Sequence, residues 1–452
     1  MKKLLIFCIF AVCTSCSFDN KTGIWRDASN TPQDNQTTRS ITDSEPSKRY
    51  ENIFVKNKIF NEEINSPNLY NINIIPPIKT TSWFEQYATA SNNISNFSYS
   101  ENNILLSKSR KLSKNSTKRK IVYYKNNLIS HDHRGTIFVY SLNLNKKVFE
   151  YNFYKKKFKN FNKKINFIIK ESFLYVSDNL GYIYALNLEN NSIIWAKNYG
   201  IPFRSNIKIF KNQIFLANQD NVIYSINLNT GVKNWQFATG LTFLKSDFEN
   251  NFSLDLITNN LFFLNTSGEL YSINLKTNNI NWVLNFKNSS STEDTELFLS
   301  QPIVIKNSNL IITTEKTLLS YDKITAARNW VLPVESIFKP IITLDHTYII
   351  SKNYLLICLN NKSGNVVWSK NILANIKNKK IKKKFDAVVD FKIVNSKINI
   401  YSKNGYLMSF ESSNGKLNYL KKISKNGIKS EIVFLDNHML FIDKDNKLLK
   451  FN

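Results

Sequence analysis

The sequence predicts an all-β chain wound into an eight-bladed β-propeller of four-stranded antiparallel blades. Two observations predict it: a strand motif that recurs about every forty-five residues, and an aromatic fourteen positions after each motif start. The clearest copies run GYIYALNLENNSIIW from Gly181 to Trp195, NVIYSINLNTGVKNW from Asn221 to Trp235 and GELYSINLKTNNINW from Gly268 to Trp282. Weaker copies start at Gly135, Lys316, Tyr354 and Gly405, and a truncated one at Asn446 ends the chain. The eight starts lie 38 to 51 residues apart, a period that fits several strands per unit and hence a blade.

Within each unit the order of elements follows from local chemistry. Two apolar runs separated by a polar pair read as a hairpin. Such pairs occur at Asn126-Asn127, Asn212-Gln213, Asn259-Asn260, Ser308-Asn309, Asp345-His346, Ser396-Lys397 and Asn437-His438, and Asn and Asp tolerate the positive φ that tight hairpins require. The motif strand follows. Its period-2 alternation, as in YIYALNL, sets one face against the neighbouring blade. The fourth strand carries the aromatic: Phe149, Trp195, Trp235, Trp282, Trp330, Trp368 or Tyr419. These are read as packing residues at the seams between blades, not as reagents.

The chain ends after a motif strand and lacks the aromatic strand of its last unit. The upstream stretch NNILLSKSRKL (Asn102–Leu112) aligns with an aromatic strand and places Leu106 at the aromatic position. Ring closure therefore pairs this N-terminal strand with the C-terminal one, which removes the orphan edge. The propeller is expected over 103–452.

Ahead of it, Lys2 and Lys3 precede an apolar run from Leu4 to Cys13, the pattern of a secretory signal over residues 1–15. Thr14-Ser15-Cys16 resembles a bacterial lipobox, which implies lipidation at Cys16, anchoring by acyl chains and, with Ser17 next, the periplasmic face of the outer membrane. Residues 16–102 are then a lipidated, mostly flexible tether, polar and turn-rich over Asn30–Asn52. Two stretches in it, Asn68–Ile78 and Thr81–Asn93, are apolar enough to dock on a surface the sequence does not identify.

The chain has 452 residues and a formal net charge of +27, from 61 Lys+Arg against 34 Asp+Glu. Lysine is spread along it, and an exported chain has no nucleic acid to meet. The basic segments Phe153–Lys164 and Lys377–Lys384 are therefore read as solvated edges and loops. Cys358 is the one cysteine left beyond Cys16, so no intrachain disulfide or vicinal pair can form in the propeller. His131-Asp132-His133 puts two imidazoles on one strand face, a zinc-like spacing, but in a loop where polar residues are routine. No metal or cofactor is assigned.

The repeat resembles the pyrroloquinoline-quinone-type propeller repeat at Gly181, Tyr184, Ala185, Leu186, Asn187 and Trp195, with Thr230-Gly231 and Ser363-Gly364 as its turn. With the lipobox and eight blades, the chain resembles outer-membrane protein assembly factors of the BamB type. The WFEQYATASNNISNFSYS segment before the first blade is similar to that of alphaproteobacterial relatives, although the glycines usual there are absent. The resemblance implies a non-enzymatic scaffold that binds the periplasmic domains of the β-barrel insertase and assists barrel precursors. It implies partner contacts at Phe243, Leu244 and Lys245, and in an acidic loop a blade later at Glu293, Asp294 and Glu296; these acids lie earlier than the family's aspartates. The alternatives are a lipid-anchored binder of envelope polymers and a relative of quinone-dependent dehydrogenases. The latter implies a vicinal cysteine pair and a carboxylate-rich calcium site, neither of which the sequence offers.

Overall fold

The computed structural model describes residues 16–19, 24–27, 59–66, 72–94, 96–154, 158, 160–240, 251–286 and 297–452, apart from 375, 377 and 386. The chain divides into two compact units, Met1–Ile53 and Phe54–Asn452. In the first, Cys16–Asp19 pairs antiparallel with Ile24–Asp27; the expected signal, residues 1–15, lies outside the described residues.

The second unit is an eight-bladed propeller. Blades 1 to 7 span residues 122–152, 165–198, 208–238, 251–285, 304–332, 341–371 and 388–422. Each is a four-stranded antiparallel meander with its first strand innermost, and in blade 7 a fifth, parallel strand is added beside that first strand. Blade 8 takes three strands from the C-terminus, Val433–Leu435, His438–Ile442 and Lys447–Phe451, and its outermost from Leu105–Lys111 near the N-terminus. The ring is closed as the sequence implied, but in a shifted register. Lys450 lies opposite Ser107, the place that Ala185 holds opposite Trp195. Ser107 therefore occupies the aromatic position, and Leu106 points outward at 50% exposure.

The strands assemble because alternate residues feed opposite seams. In the second strand of blade 4, Leu261 and Phe263 pack with Phe215 and Ile223 of blade 3. Phe262 and Leu264 pack with Leu310 and Ile312 of blade 5. The period of two in the sequence is thus spent on two neighbours at once, which makes the wheel one continuous chain of buried layers.

Three of the hairpins between first and second strands turn one residue earlier than the polar pairs suggest. Lys125-Asn126 have φ of 42° and 65°, Asn395-Ser396 of 48° and 63°, and Asp436-Asn437 of 49° and 62°. Positive φ at both central positions is the type I′ geometry that matches strand twist. The Lys-rich connection between blades 6 and 7, expected as a loop, is a short helix, Lys379–Lys384, capped by the Asn378 side chain.

Candidate functional site

The hub of a propeller is where its innermost strands converge, and here it is filled by the chain itself. Residues 78–99, expected within the tether, run around the hub and touch every blade. Trp83 exchanges backbone hydrogen bonds with Tyr123 of blade 1, at 3.2 and 2.7 Å. The Phe84 carbonyl accepts from Ile169 N of blade 2 at 2.8 Å, and those of Ala90 and Ser91 accept from Leu254 N and Ile305 N of blades 4 and 5 at 2.9 and 3.1 Å. Glu85 pairs with Lys208 of blade 3 at 2.6 Å. Asn93 Oδ1 accepts from Ile342 N of blade 6 at 3.0 Å. Asn96–Phe97 adds a parallel strand to blade 7, and Thr80 O accepts from Asp436 N beside blade 8 at 2.8 Å.

Two asparagines do much of the joining. Asn92 Nδ2 donates to Phe252 O at 2.7 Å and Ile303 O at 2.9 Å, and Asn93 Nδ2 to Ile342 O at 2.8 Å. The amides thereby bond backbone carbonyls of the innermost strands, Phe252 O accepting from Asn206 Nδ2 as well, at 2.9 Å. Apolar packing completes the seal: Trp83 is fully buried against Phe97 at 5.4 Å, and Phe97 stacks on Phe434 of blade 8 at 5.5 Å. Upstream, Ile64 pairs with Ser369 on the outer strand of blade 6, and Phe60 enters the seam between blades 5 and 6 beside Trp330 and Ile349.

Ionisable side chains gather around this hub. Lys208 is buried on Glu85 and Asn92 Oδ1, the latter at 2.8 Å; burial lowers its pKa and Glu85 opposes the shift. Asp390 pairs with Lys392 at 2.9 Å and accepts from Ile432 N at 2.9 Å. Glu431 accepts from Ile121 N at 3.0 Å through one oxygen, while the other has no partner among the described residues. Burial, opposed by Lys392, pushes its carboxyl up to about 7. Lys339 Nζ also lacks a hydrogen-bond partner and sits 4.8 Å from the Tyr87 ring centre. Beside these groups opens a cavity of about 280 Å³ walled by Tyr87, Arg119, Phe338, Lys339, Asp390 and Phe391. A second, of about 400 Å³, has Tyr87, Asn251 and Phe298 on its wall.

The residues singled out for partner contact, Phe243, Leu244, Lys245, Glu293, Asp294 and Glu296, lie outside the described residues. Their loops join blade 3 to blade 4 and blade 4 to blade 5. Beyond each loop, Asn251 Nδ2 donates to Ser300 Oγ at 3.0 Å. Cys16 opens the first strand of the N-terminal unit.

The outer-strand aromatics lie at the blade seams. Trp195 Nε1 donates to Leu228 O at 3.1 Å, Trp330 to Asn361 O at 2.9 Å and Trp368 to Ser412 O at 3.2 Å, each across to the next blade. Trp235 and Trp282 pack in their seams, Tyr419 packs at the rim of the largest core and Phe149 in the seam between blades 1 and 2.

The His131-Asp132-His133 segment is spent on folding. Asp132 Oδ1 accepts from Arg134 N at 2.9 Å and Thr136 N at 3.0 Å, and Oδ2 from Ser113 Oγ and Asn115 Nδ2. His131 is buried edge-on to Phe167, and burial drops its pKa to about 3. No group of three or more metal-ligating side chains occurs among the described residues. Cys358 is buried, and burial raises its thiol pKa far out of the reactive range. Of the basic segment 153–164, Lys163 turns inward, its Nζ donating to Phe161 O at 2.8 Å and to Phe158 O.

Comparison with known proteins places this architecture. The family model described as outer membrane protein assembly factor BamB matches residues 156–370, just under half of the chain. The crystal structure of BamB from Moraxella catarrhalis superposes with a TM-score of 0.61 at 13% identity, over 77% of this chain and 99% of that one. The fold is the same propeller. The quinohemoprotein alcohol dehydrogenase from Comamonas testosteroni is also similar, with a TM-score of 0.59 at 9% identity over 83% of this chain and 81% of that one. So is the computationally designed Ika8 protein, at 0.53 and 10%, over 76% and 99%. No curated protein matches the sequence. At these identities the structural likenesses speak for the fold alone. No helix among the described residues is long and apolar enough to cross a membrane.

Proposed function

We propose that the chain is a non-enzymatic scaffold lipoprotein of the outer-membrane β-barrel assembly machinery. It is held at the periplasmic face by lipid on Cys16, with residues 1–15 removed as its signal. The reading rests above all on the match of residues 156–370 to the BamB family model. The fold likeness to the Moraxella catarrhalis BamB, spanning 99% of that chain, agrees with it. A wheel whose hub is occupied by its own chain offers rigid loops and blade edges, which suits docking better than turnover. The loops around Leu244 and Glu293 are the proposed contacts with the insertase, and outer blade edges are available for strand addition by precursors.

Photo-crosslinkers placed at Leu244 and Glu293 in cells test this reading. It requires adducts with the periplasmic domains of the insertase; adducts only with polysaccharide or peptidoglycan would overturn it. The enzymatic alternative is checked by adding quinone and calcium to the full-length chain, for which no dye-linked alcohol oxidation is expected.

A further inference from the structure

The lysines of the wheel are unevenly matched to carboxylates. Because each blade is a meander, the first-to-second and third-to-fourth hairpins open on one face; second-to-third turns and the connections between blades open on the other. On that other face a basic arc runs from the connection of blades 6 and 7 to that of blades 1 and 2. It starts at the helix Lys379–Lys384, which Ile381 and the buried Phe385 pin to the core and which leaves Lys379, Lys380, Lys382 and Lys383 exposed. Printed through backbone and side chains, the arc is continuous. Lys403 N donates to Ala387 O at 2.7 Å, just beyond the helix, and Lys444 Nζ to Asn404 Oδ1 at 3.0 Å. Lys429 Nζ spans Asn446 Oδ1 and Ser116 Oγ at 2.9 and 2.8 Å. Lys118 N and Lys163 N then reach the carbonyls of His131 and His133, each at 2.8 Å.

Elsewhere lysines find acids: Lys125 pairs with Glu189 at 3.3 Å, and Lys352 with Glu335 and Lys397 with Glu101 at 3.0 Å. Along the arc the carboxylates are withdrawn. Asp132, Asp390, Glu431 and Asp443 are buried, Asp390 and Asp443 pairing with Lys392 and Lys108, and Asp445 accepts from Asn426 Nδ2 at 2.6 Å. The cations feel one another instead. Burial and then Lys118 lower the pKa of Lys429, with Asp443 opposing, and burial and then Lys164 lower that of Lys118. In the helix, Lys379 and Lys383 stand at i and i+4, a like-charge pair that weakens it.

The layout indicates which anion fits. The ammonium groups spread over several turns and connections instead of converging on a pocket, and lysines are point charges without the planar fork that grips a single phosphate. That suits a plane of many charges. At the far end Phe158 and Phe161, 38% and 60% exposed, form an edge-to-face pair with ring centres 6.1 Å apart. No other large apolar side chain is exposed on the turns and connections of this face among the described residues. A single-stranded polymer calls for aromatics interleaved along its path; a pair at one end is placed to enter a bilayer interface. We propose that this arc rests on an anionic phospholipid surface, with its lysines on the head groups and Phe158 and Phe161 in the interface. The connections of blades 3 to 4 and 4 to 5, proposed to meet the insertase, open on the same face across the ring from blade 8, so the two contacts do not compete. The arc is independent of lipid on Cys16.

The test is amine footprinting of the full-length chain on vesicles of phosphatidylcholine, and of equal parts phosphatidylcholine and phosphatidylglycerol, with acetylation of each lysine read by mass spectrometry. On the anionic vesicles Lys380, Lys382, Lys403 and Lys444 should react about fivefold more slowly, and added salt should remove the difference. Lys146, Lys233, Lys276 and Lys362, exposed in third-to-fourth turns of the opposite face, should react at an unchanged rate. Lys379→Gln, Lys380→Gln, Lys382→Gln and Lys383→Gln together should bring Lys403 and Lys444 to within about twofold of their rate on phosphatidylcholine. The same replacement at the four lysines of the opposite face, equal in charge, should not. Should the helix variant fail to fold, Lys403→Gln with Lys444→Gln, read at Lys380 and Lys382, takes its place. Phe161→Trp should add fluorescence that brominated acyl chains quench, which no soluble polyanion can do. Equal rates on both vesicles, equal slowing on both faces, an equal effect of the charge-matched variant, absence of quenching, or stronger protection of the arc by heparin or a DNA oligonucleotide than by the anionic vesicles would each overturn the proposal.

Discussion

Three of the outer-strand tryptophans share a detail that the other two lack. Trp195, Trp330 and Trp368 each donate to the carbonyl three residues before a turn glycine of the next blade: Gly231, Gly364 and Gly415. These glycines have φ of 68°, 73° and 69°, and a Cβ at any of them would lie 2.3 to 2.7 Å from the indole. At the same turn position blade 4 has Asn278, φ 58°, and blade 5 has Ala326, φ 60°. The facing indoles, Trp235 and Trp282, have no partner for Nε1 among the described residues. A missing Cβ is therefore what lets the indole settle onto the turn. Gly231→Ala should destabilise the propeller by about 2–4 kcal/mol, combining left-handed strain with overpacking. Ala326→Gly should stabilise it by about 0.5–1 kcal/mol by relieving that strain. Denaturant midpoints of the two variants, moving in opposite directions, check this. The aromatics themselves were legible from their spacing, but their glycine partners were not, because the contact joins turns in different repeats. A second signal was present and went unread. Asp132, Asp178, Asn218, Asn265 and Asp443, each three residues before a motif start, accept from two amides of the following turn.

Also at residue scale, Glu431 makes stability depend on pH. Its folded pKa, about 7, lies above the ordinary 4.5, so the folded state holds a proton that the unfolded state releases between those values. Stability from this group is present below about 4.5 and declines until about 7. His131, held near 3 against an ordinary 6.5, acts oppositely, because its neutral burial is lost as pH falls below about 6.5. The two oppose each other between about 4.5 and 6.5, so variants separate them better than the raw profile. Glu431→Gln keeps an acceptor for Ile121 N. It should be more stable than the parent at pH 8 by on the order of 1–3 kcal/mol, with little difference at pH 4.5. Urea melts at the two pH values measure it.

Among elements, the hub segment was least legible. Thr81–Asn93 was recognisable as apolar enough to dock, but nothing in it alternates like a strand. Its partners are backbone groups and buried charges up to about 350 residues away in sequence, reached through Asn amides and Glu85. Such contacts leave no local periodicity to read. The Glu85–Lys208 pair shows what the segment contributes. Glu85→Gln leaves Lys208, 1% exposed along its side chain, without its counter-ion and should cost about 3–5 kcal/mol. Adding Lys208→Met should recover most of that loss. A thermal melt of the single and double variants decides between this and a merely superficial contact, for which both would be near neutral.

At the scale of the molecule, the eight-fold count and the closure from both ends followed from the repeat starts and the truncated last unit. The closing register did not, because Leu105–Lys111 carries no aromatic to mark the position opposite Lys450, which Ser107 fills in place of Leu106. Deleting residues 447–452 would expose edges on both sides of the gap, where strand pairing between chains is the usual outcome. Such a chain should elute as soluble aggregate in size-exclusion chromatography, whereas a tolerant solenoid would remain monomeric.

The central claim is that the wheel is one sealed body, pinned from within by the stretch that precedes its first blade. Amide hydrogen exchange of the full-length chain, read by mass spectrometry on peptides covering residues 78–99, tests it most directly. Protection lasting as long as that of the innermost blade strands is the predicted result. Exchange of those peptides within seconds, while the blades stay protected, would contradict it.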